Sequence, residues 1–570
     1  MDALDSLFSL CTQYSRFVLP VLALWVLLRC VRSMFRETRQ SEVWARLTPA
    51  GGDALEVRAW ETILGRAKIS DVVLPSPAVS RIHAVLVRGE AGRWMLYDLH
   101  TKSGTLVNGQ RVGRKGTPVK SGDTLTLADT ALTFTVLDRG QITALGNRRA
   151  VPGRVYRSAL TLLLLTLFQA VMALDFALGA QAECLPGILT GFGALAAVEW
   201  LDYLIMRAIY RSGFEPETLA YFLCSLGMGV AAVSAPENML RQCLFLVAGV
   251  TLYLLLGWWL RDLRRVKALR WPAAIGALGL LALNLLLSTE TFGARNWLTL
   301  AGVSFQPSEF VKAAYIFAGA ATADRLYRHR NLILFIGFSA ACVGALALMG
   351  DFGTAVIFFA AFLLISYLRS GSLATVALAV TAAVLCALLV LSVKPYIAAR
   401  FSAWGHIWED PYDAGWQQTR ALAAASSGGL FGLGAGQGWL HTLFAASSDL
   451  VFCLLCEEYG LLTALMAVCA LLLLVLFAAV NAAACRSAYY LITSCAAAGL
   501  LLVQMALNVL GAVDILPFTG VTFPFVSAGG SSLLSCWLLL AFIKAGDTRR
   551  QASFAVRTAE RALGKGGAQA

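Results

Sequence analysis

Charged residues are scarce in this chain of 570 residues: Asp, Glu, Lys and Arg make up 14% of it, whereas 58% is hydrophobic. So little charge excludes a chain that is soluble throughout, and it is typical of a multi-span membrane protein with room for one extra soluble domain. The net charge of +12 does not indicate nucleic-acid binding, because Lys and Arg lie mainly in short loops and in the two tails. That distribution is the topology signal of a membrane protein.

Metal and leader signals are also missing. Most of the 13 cysteines lie in apolar runs, where a thiol behaves as a small hydrophobe. Cys453 and Cys456 form a CxxC without a second pair of ligands, so we predict neither a zinc site nor a disulfide framework. The first apolar segment, about residues 17–28, has no A-x-A cleavage site and four arginines follow it, so residues 1–40 are predicted to be a membrane anchor.

Residues 41–139 have a different character from the rest of the chain. Short runs at 94–97, 124–127 and 132–137 alternate apolar and polar residues, and Gly, Pro, Asn-Gly and Gly-Asp separate them. This pattern predicts an all-β sandwich, inserted after the first membrane segment. Residues 140–154 then form a basic linker.

The remainder of the chain predicts an α-helical membrane domain. Twelve apolar stretches have lengths that suit a hydrocarbon core of about 30 Å. They are about 155–178, 185–207, 215–233, 240–260, 270–288, 307–325, 331–349, 353–368, 373–393, 450–478, 487–511 and 528–545. We divide them into two additional helices at 155–213 and a ten-helix core at 214–548, followed by a cytoplasmic tail at 549–570.

Alternate loops between these stretches are basic, which places them and the sandwich on the cytoplasmic side. The opposite loops then lie outside the cell membrane. Among them is a polar island at 394–449, rich in Gly, Trp and Gln, that closes on Asp449. A large loop with this much aromatic and motif content is typical of a functional segment, and we interpret it as the roof of a membrane active site.

The sandwich carries five motifs in order. They are Gly65-Arg66, Ser80-Arg81-Ile82-His83, Asp98 to Thr105, Asn108-Gly109 and Gly122-Asp123. They resemble the forkhead-associated (FHA) domain, a phosphothreonine reader, over the whole sandwich.

Phosphothreonine recognition needs a guanidinium, hydroxyls and an amide that holds the peptide backbone. The matching positions predict phosphopeptide binding by Arg66, Ser80, Lys102, Ser103 and Asn108. His83 matches a histidine that braces the binding loops from within. The chain has Ser103-Gly104-Thr105 where the family usually has Asn-Gly-Thr, and the alternative is a sandwich that has lost peptide binding.

The membrane domain carries further blocks, at 293–297, 306–312, 350–355, 427–434, 449–460, 517–520 and 524–532. Together they resemble the SEDS family (FtsW, RodA and the sporulation homologue) over about 214–548. The resemblance implies a peptidoglycan glycosyltransferase that polymerises lipid II at the outer face of a bacterial cell membrane, in division or elongation. It also implies a class B penicillin-binding protein as partner, and the FHA domain implies a phosphothreonine protein from a Ser/Thr kinase pathway.

Joining two sugars requires a base that takes the acceptor hydroxyl's proton, and help for the departing diphosphate. Asp449 matches the family's catalytic aspartate, although this chain reads Ser447-Ser448-Asp449-Leu450 where the family has His-Thr-Asp-Phe. A half-desolvated carboxylate at that place can have a raised pKa. The alternative is a simple helix N-cap.

Four basic residues are candidates for the lipid-linked phosphates. Arg295 precedes Trp297 in an outer loop, where an interfacial anchor pair is the alternative. Glu309 and Lys312 share one face of a helix, and we predict an ion pair that lines the substrate groove or is purely structural. Lys394 and Arg400 are weaker candidates.

No protein metal site is visible, and a divalent cation (Mg²⁺ or Mn²⁺) is expected only as a companion of the substrate diphosphate. Two other functions stay open. A lipid II flippase should tolerate loss of Asp449 better than loss of cavity charges. A non-catalytic scaffold that recruits phosphoproteins should depend on Arg66 and not on Asp449.

Overall fold

The computed structural model describes most of the chain. The described residues are 2–36, 43–68, 70–88, 92–99, 101–113, 116–138, 140–141, 158–179, 183–209, 213–288, 295–300, 303–323, 329–370, 373–393, 404–413, 415–482, 484–485 and 487–547. The linker predicted at 140–154 and the tail at 549–570 lie largely or wholly outside them.

The N-terminal anchor is a longer helix than the sequence predicted. Helix α1 spans Asp2–Arg36 and continues through Pro20, whereas the apolar stretch alone indicated about 17–28. Its membrane-compatible part is Gln13–Phe35. Because a helix satisfies its own backbone polar groups, it can extend past the most apolar residues on both sides.

The β domain consists of eleven strands in two sheets, counted within residues 43–138 as described. They are β1 Ala45–Pro49, β2 Leu55–Val57, β3 Glu61–Gly65, β4 Val72–Val73, β5 Ala84–Arg88, β6 Trp94–Asp98, β7 Thr105–Val107, β8 Gln110–Arg111, β9 Thr117–Val119, β10 Thr124–Leu127 and β11 Thr130–Val136. One sheet has the order β2-β1-β11-β10-β7-β8 and the other β4-β3-β5-β6-β9. The predicted sandwich is confirmed.

The alternation seen in the sequence puts one face of each strand into the space between the sheets. Trp94 of β6 and Phe134 of β11 meet there with ring centroids 5.3 Å apart. Both are buried together with Leu47, Leu64 and Leu125. The sandwich therefore has a hydrophobic core of its own.

The membrane domain contains thirteen further helices in the described residues. They are α2 Ser158–Gly179, α3 Leu185–Ala208, α4 Glu215–Ser234, α5 Met239–Trp259, α6 Leu263–Leu287, α7 Pro307–Ala323, α8 His329–Leu348, α9 Phe352–Ser370, α10 Leu373–Val393, α11 Trp416–Gly428, α12 Val451–Ala482, α13 Ala488–Ala512 and α14 Gly530–Ala545. A short hairpin, β12 Leu298–Leu300 with β13 Val303–Phe305, precedes α7.

Each of the twelve predicted stretches is helical. Counting α1, ten helices of the described chain are long and apolar enough to cross a membrane. Two apolar segments are shorter, Leu373–Val384 and Gly530–Ala545, and α7 has 17 residues that include Glu309 and Lys312. The multi-span membrane fold is confirmed. Helix α11 was not predicted, because its sequence is polar and lies in the large loop.

The two additional helices contact the core through buried acids that had no assignment from sequence. Gln169 of α2 donates from Nε2 to Glu199 Oε2 of α3 at 2.7 Å and to Ser225 Oγ of α4 at 3.1 Å. The Tyr221 hydroxyl of α4 donates to Asp202 Oδ2 of α3 at 3.0 Å. Polar groups inside a membrane domain pair in this way because lipid offers them no partner.

The same network continues to the last helix and to the anchor. Lys544 of α14 lies 2.9 Å from Glu217 of α4, and both side chains are fully buried. The Ser15 hydroxyl of α1 donates to Asp175 of α2. The helices that precede the ten-helix core are thus integrated into the bundle.

Candidate active site

Asp449 ends the large polar loop, two residues before α12. Its backbone N–H donates to the Ala445 carbonyl at 2.8 Å, and its own carbonyl accepts from Asn508 Nδ2 of α13 at 2.9 Å. Asn508 Nδ2 also donates to the Val521 carbonyl at 2.8 Å. One amide therefore fixes Asp449 to a second loop, at 513–529.

The two serines before Asp449 are attached to that same loop. The Ser527 hydroxyl donates to the Ser448 carbonyl at 2.6 Å, and the Ala528 N–H donates to the Ser447 carbonyl at 2.9 Å. In both bonds the acceptor is a backbone carbonyl, so the bonds do not depend on the side chains of Ser447 and Ser448. This explains how the loop geometry is kept although the residues differ from the usual His-Thr.

The Asp449 carboxyl group is half-buried. Burial raises its pKa to about 6, and a hydrogen bond from the Ser448 hydroxyl opposes that rise. A carboxylate with a pKa close to the operating pH is suited to accept a proton from a hydroxyl group. The geometry thus allows a general base here, as predicted.

Gly520 leaves room for this carboxylate. It has a φ of +66°, which favours glycine, and a Cβ at this position would lie 3.2 Å from Asp449 Oδ2. Gly353, at the start of α9, packs more tightly still, because a Cβ there would lie 2.6 Å from Val521 Cγ2 and 3.1 Å from Thr519. The two glycines bring α9 and the second loop close to Asp449.

The glycine-rich stretch of the large loop packs against a kink in α12. Gly460 has a φ of +84° and interrupts the helix, which frees backbone groups on both sides of it. The loop satisfies them: the Leu433 N–H donates to the Glu457 carbonyl at 2.9 Å, and the Leu461 N–H donates to the Gly429 carbonyl at 3.0 Å. Inside a membrane such freed groups must find partners.

The side chains of Glu457 and Glu458 hold the next part of this loop. Glu457 accepts from the backbone N–H groups of Trp439 and Leu440, each at 2.9 Å. Glu458 accepts from those of Gly436 at 2.6 Å and Gly438 at 3.2 Å. Two acids on α12 thereby shape the loop that leads to Asp449.

Glu309 and Lys312 form the expected ion pair, with Lys312 Nζ 2.8 Å from Glu309 Oε1. Lys312 Nζ also donates to Gln504 Oε1 of α13 at 3.0 Å. Both charged side chains are almost completely buried. Contact between this pair and a substrate stays a prediction.

Gln504 connects the ion pair with the second loop. Its Nε2 donates to the Thr522 hydroxyl at 2.9 Å and to the Thr522 carbonyl at 3.1 Å. Gln504 and Asn508 are one helical turn apart on α13, about 6 Å along the axis. Residues 519–522 therefore lie between Asp449 on one side and Lys312 on the other.

Of the remaining phosphate candidates, Arg295 lies within the described residues. Arg295 is exposed beside the β12–β13 hairpin, and its backbone N–H donates to the Met349 carbonyl at 2.9 Å. Trp297 next to it is also exposed, so both roles considered for this pair stay open. Lys394 and Arg400 lie outside the described residues.

Asp351 is a further buried acid near the ion pair. It accepts from the Thr354 N–H at 3.0 Å and so caps α9, and Gln306 Nε2 donates to it at 3.4 Å. Burial raises the pKa of Asp351, while the bonds from Thr354 and the charge of Lys312 oppose the rise. The sequence showed this residue only as part of a motif.

Within the described ranges no three His, Cys, Asp or Glu side chains come together as a metal site. Near the second loop, Asp449 offers a single half-buried carboxylate. A hard cation such as Mg²⁺ can bind through one carboxylate together with substrate phosphates. The donor set therefore fits a cation only if the substrate brings most of its ligands.

The FHA-like loops meet at one end of the sandwich. The Arg66 N–H donates to the Ser80 carbonyl at 3.0 Å. His83 is fully buried and contacts both binding loops: its Nδ1 accepts from the Ser80 N–H at 3.1 Å, and its Nε2 lies 3.2 Å from the Gly104 carbonyl. The bracing role predicted for His83 is confirmed.

The other residues predicted to bind the peptide are exposed, but they differ in whether their side chains are already hydrogen-bonded. Lys102 and Ser103 are exposed beside Gly104, and the guanidinium of Arg111, which sequence reasoning missed, packs against that glycine. Asn108 is exposed, but its Nδ2 donates to Asp123 at 2.9 Å and its Oδ1 accepts from the Thr124 N–H at 2.8 Å. Its amide serves the turn in this structure, so a peptide contact stays a prediction.

Comparisons with known proteins agree with both parts of the chain. The family model described as "Cell cycle protein" (FtsW/RodA/SpoVE) matches residues 227–551, and the FHA domain model matches residues 62–128. The peptidoglycan glycosyltransferase RodA of Mycobacterium tuberculosis is 28% identical over 323 residues, which cover 53% of this chain and 69% of RodA. The probable peptidoglycan glycosyltransferase FtsW of Thiomicrospira cyclica is 33% identical over 284 residues, 46% of this chain and 71% of FtsW.

A solved structure reported for the coordination of polymerization and crosslinking by a peptidoglycan synthase complex is 26% identical, with a TM-score of 0.48. The match covers 58% of this chain and 96% of that one. Ten membrane-compatible helices among the described residues and bacterial relatives make this a multi-pass bacterial membrane protein. The chain belongs to the FtsW/RodA/SpoVE family, in which the two relatives above are named peptidoglycan glycosyltransferases, and it carries an FHA domain ahead of the family's region.

Proposed function

We propose that this protein is a peptidoglycan glycosyltransferase that polymerises lipid II at the outer face of the cell membrane, in division or elongation. The acceptor's 4-hydroxyl attacks C1 of the donor sugar, forming the new C–O bond. The bond from C1 to the diphosphate breaks, and undecaprenyl diphosphate leaves with the bonding electrons. Asp449 takes the proton of the hydroxyl.

The observation that carries this proposal is the position and raised pKa of the Asp449 carboxylate. Its carboxylate is half-buried and opposite Gly520, and its pKa is raised to about 6. The backbone bonds from Asn508 and to Ala445 hold it in place without using the carboxylate as a helix cap. That favours the general base over the N-cap alternative.

Lys312 and Arg295 would supply positive charge to the diphosphate, with any divalent cation arriving on the substrate. The family suggests a class B penicillin-binding protein as the partner that crosslinks the strands. The experiment that tests the function is polymerisation of lipid II by the purified full-length protein together with that partner, followed by analysis of glycan chain length.

The topology in this proposal has the sandwich in the cytoplasm and Asp449 outside. Helix α13 supports it, because Glu61 of the sandwich contacts Ala488 at one end and Asp449 contacts Asn508 near the other. Twenty residues of helix separate the two contacts, about 30 Å along the axis, which is the thickness of the hydrocarbon core.

Polymerisation should fall on the acidic side of pH 6. The base acts only when ionised, so with a pKa of about 6 the rate should be flat above pH 7. At pH 5 about one Asp449 in ten is ionised, and we expect roughly a tenfold loss. The measurement is the initial rate between pH 5 and pH 8, with thermal stability recorded at each pH. Equal rates at pH 5 and pH 7.5 would contradict the assignment.

Phosphothreonine binding by the FHA domain should depend on Arg66. Arg66→Ala removes the exposed guanidinium of a residue whose backbone N–H binds the Ser80 carbonyl. A hydrogen bond to a charged group contributes roughly 1.5–3 kcal/mol, so affinity should fall at least tenfold. Fluorescence anisotropy with a degenerate phosphothreonine peptide pool measures it, and the exposed Arg93 of the sandwich provides the control Arg93→Ala. Undiminished binding by Arg66→Ala would favour a sandwich without this function.

A further inference from the structure

Glu61, the first residue of β3, binds the start of a membrane helix. Its Oε2 accepts from the Ala488 N–H at 3.1 Å, and its Oε1 accepts from the Ser487 hydroxyl at 3.2 Å. Ser487 is itself the N-cap of α13. A carboxylate at this place satisfies an otherwise unpaired helix N–H and opposes the positive end of the helix dipole.

Two more residues of the sandwich face the membrane domain. Trp60, next to Glu61, is partly buried and packs against the hydrophobic core of the membrane helices. Burial raises the pKa of Asp71, and the positive charge of Arg369, in the last turn of α9, acts against that rise. The sandwich therefore meets the membrane domain through apolar packing of Trp60 and hydrogen bonds of Glu61, and the charge of Arg369 acts on Asp71.

Helix α13 runs from this contact to the candidate active site. Its described residues form one helix from Ala488 to Ala512 without an internal proline. At the far end Gln504 binds Lys312 and Asn508 binds the Asp449 carbonyl. A shift or rotation at the first turn would be transmitted to both, since a packed helix moves as a unit.

The strand that carries Glu61 also leads to the peptide-binding loops. β3 spans Glu61–Gly65, and Arg66 follows directly, hydrogen-bonded to Ser80. Arg66 is exposed while Glu61 holds α13. A phosphopeptide can therefore reach Arg66 without undoing the contact at the other end of the strand.

We propose that the Glu61 contact with α13 carries the effect of phosphothreonine binding to the active site. A peptide bound at Arg66 fixes the loop after β3, strengthens the hold of Glu61 on α13 and so raises the rate of polymerisation. The inference rests on the proposed function, because it connects the peptide-binding loops with the polymerase site.

The test uses the full-length protein in nanodiscs with its penicillin-binding partner. Three forms are compared: wild type, Glu61→Gln, and the control Asp53→Asn, which removes a charge from the exposed turn between β1 and β2. The probe is a degenerate phosphothreonine peptide pool, with the same pool unphosphorylated as reference. Polymerisation rate, pool binding and hydrogen exchange of the first turn of α13 are measured on each.

We expect the phosphorylated pool to raise the rate of wild type and Asp53→Asn about fivefold, the lower end of typical coupling between sites. Glu61→Gln should bind the pool as tightly, exchange the first turn of α13 faster and show no rise in rate. A full response in Glu61→Gln, or pool binding to wild type without a change in rate, would overturn the inference.

Hydrogen exchange separates this inference from the function on which it rests. If wild type makes no chains in any condition, the proposed polymerase fails. Slower exchange of the first turn of α13 when wild type binds the pool, absent in Glu61→Gln, would still support the contact as the coupling. Equal exchange in the two forms would overturn it.

Discussion

Asp449→Asn is expected to stop lipid II polymerisation while the protein stays folded. Asn has the size of Asp and can keep the backbone bonds to Ala445 and Asn508, but it cannot accept the hydroxyl proton. Loss of a general base costs roughly 10²–10⁴-fold in rate, so chains should fall below detection. The measurement is glycan chain formation from lipid II by wild type and variant at equal folded concentration.

An acid at the start of the second loop provides the control for this substitution. Asp514 has a positive φ, of 61°, which Asn tolerates, and its Oδ1 accepts from the Gly405 N–H at 3.1 Å. Asp514→Asn removes a carboxylate charge at the start of the second loop but keeps an oxygen that can accept from the Gly405 N–H. Chain formation should therefore stay within about twofold of wild type. Chains from Asp449→Asn at the rate of the control would remove Asp449 from the catalytic role.

Asp449→Asn and Arg66→Ala together separate the polymerase from its two alternatives. A lipid II flippase would continue to translocate lipid II after Asp449→Asn, and neither variant would alter chain formation by an added polymerase. A scaffold would lose function with Arg66→Ala and keep it with Asp449→Asn. In the proposed enzyme, Asp449→Asn removes synthesis itself, whereas Arg66→Ala removes only its control.

Local patterns in the sequence predict much of the fold. Alternation of apolar and polar residues predicts strands where β6, β10 and β11 lie, and the length of the apolar runs predicts the membrane helices. Both signals can be read within a short window of the sequence. Helix α11 lacks such a pattern: its 13 residues from Trp416 are mostly polar or small. It packs against α12 through buried residues such as Ala421 and Ala424, and that partner is not visible in a local window.

The candidate site shows the same limit. Motifs identify Asp449, Glu309 and Lys312, and i, i+3 spacing predicts the ion pair. Gln504 and Asn508 could have been noticed as two polar residues one turn apart in a membrane helix, but their partners are far away in the sequence. The contact of Glu61 with Ala488 joins residues 427 positions apart, which no periodicity encodes.

Lys312→Met is expected to destabilise the protein strongly and to stop polymerisation. Glu309 would lose its cation, while its second oxygen, Oε2, is buried without a hydrogen-bond partner in the described structure. Breaking a buried ion pair by removing one partner costs about 3–5 kcal/mol. The folded yield and melting temperature in detergent measure this effect.

The double variant Glu309→Gln/Lys312→Met distinguishes a structural pair from a substrate contact. It removes both charges, so stability should return to within about 1–2 kcal/mol of wild type. If the Lys312 ammonium also acts on the diphosphate, the refolded protein should still polymerise at least tenfold more slowly. Recovery of the full rate along with stability would assign the pair to structure alone.

The buried pair of Lys544 and Glu217, 2.9 Å apart, allows the matched comparison. Glu217→Gln/Lys544→Met makes the same chemical change in a pair whose other hydrogen bonds involve Gly213 and Tyr253. Among the described residues it has no hydrogen bond with Asp449, Gln504 or the second loop, so its folded fraction should polymerise at the wild-type rate. Equal losses of rate in the two double variants would mean that any neutralised pair in the bundle slows the enzyme. A loss confined to Lys312 would show that its charge is needed where the sugar chain is made.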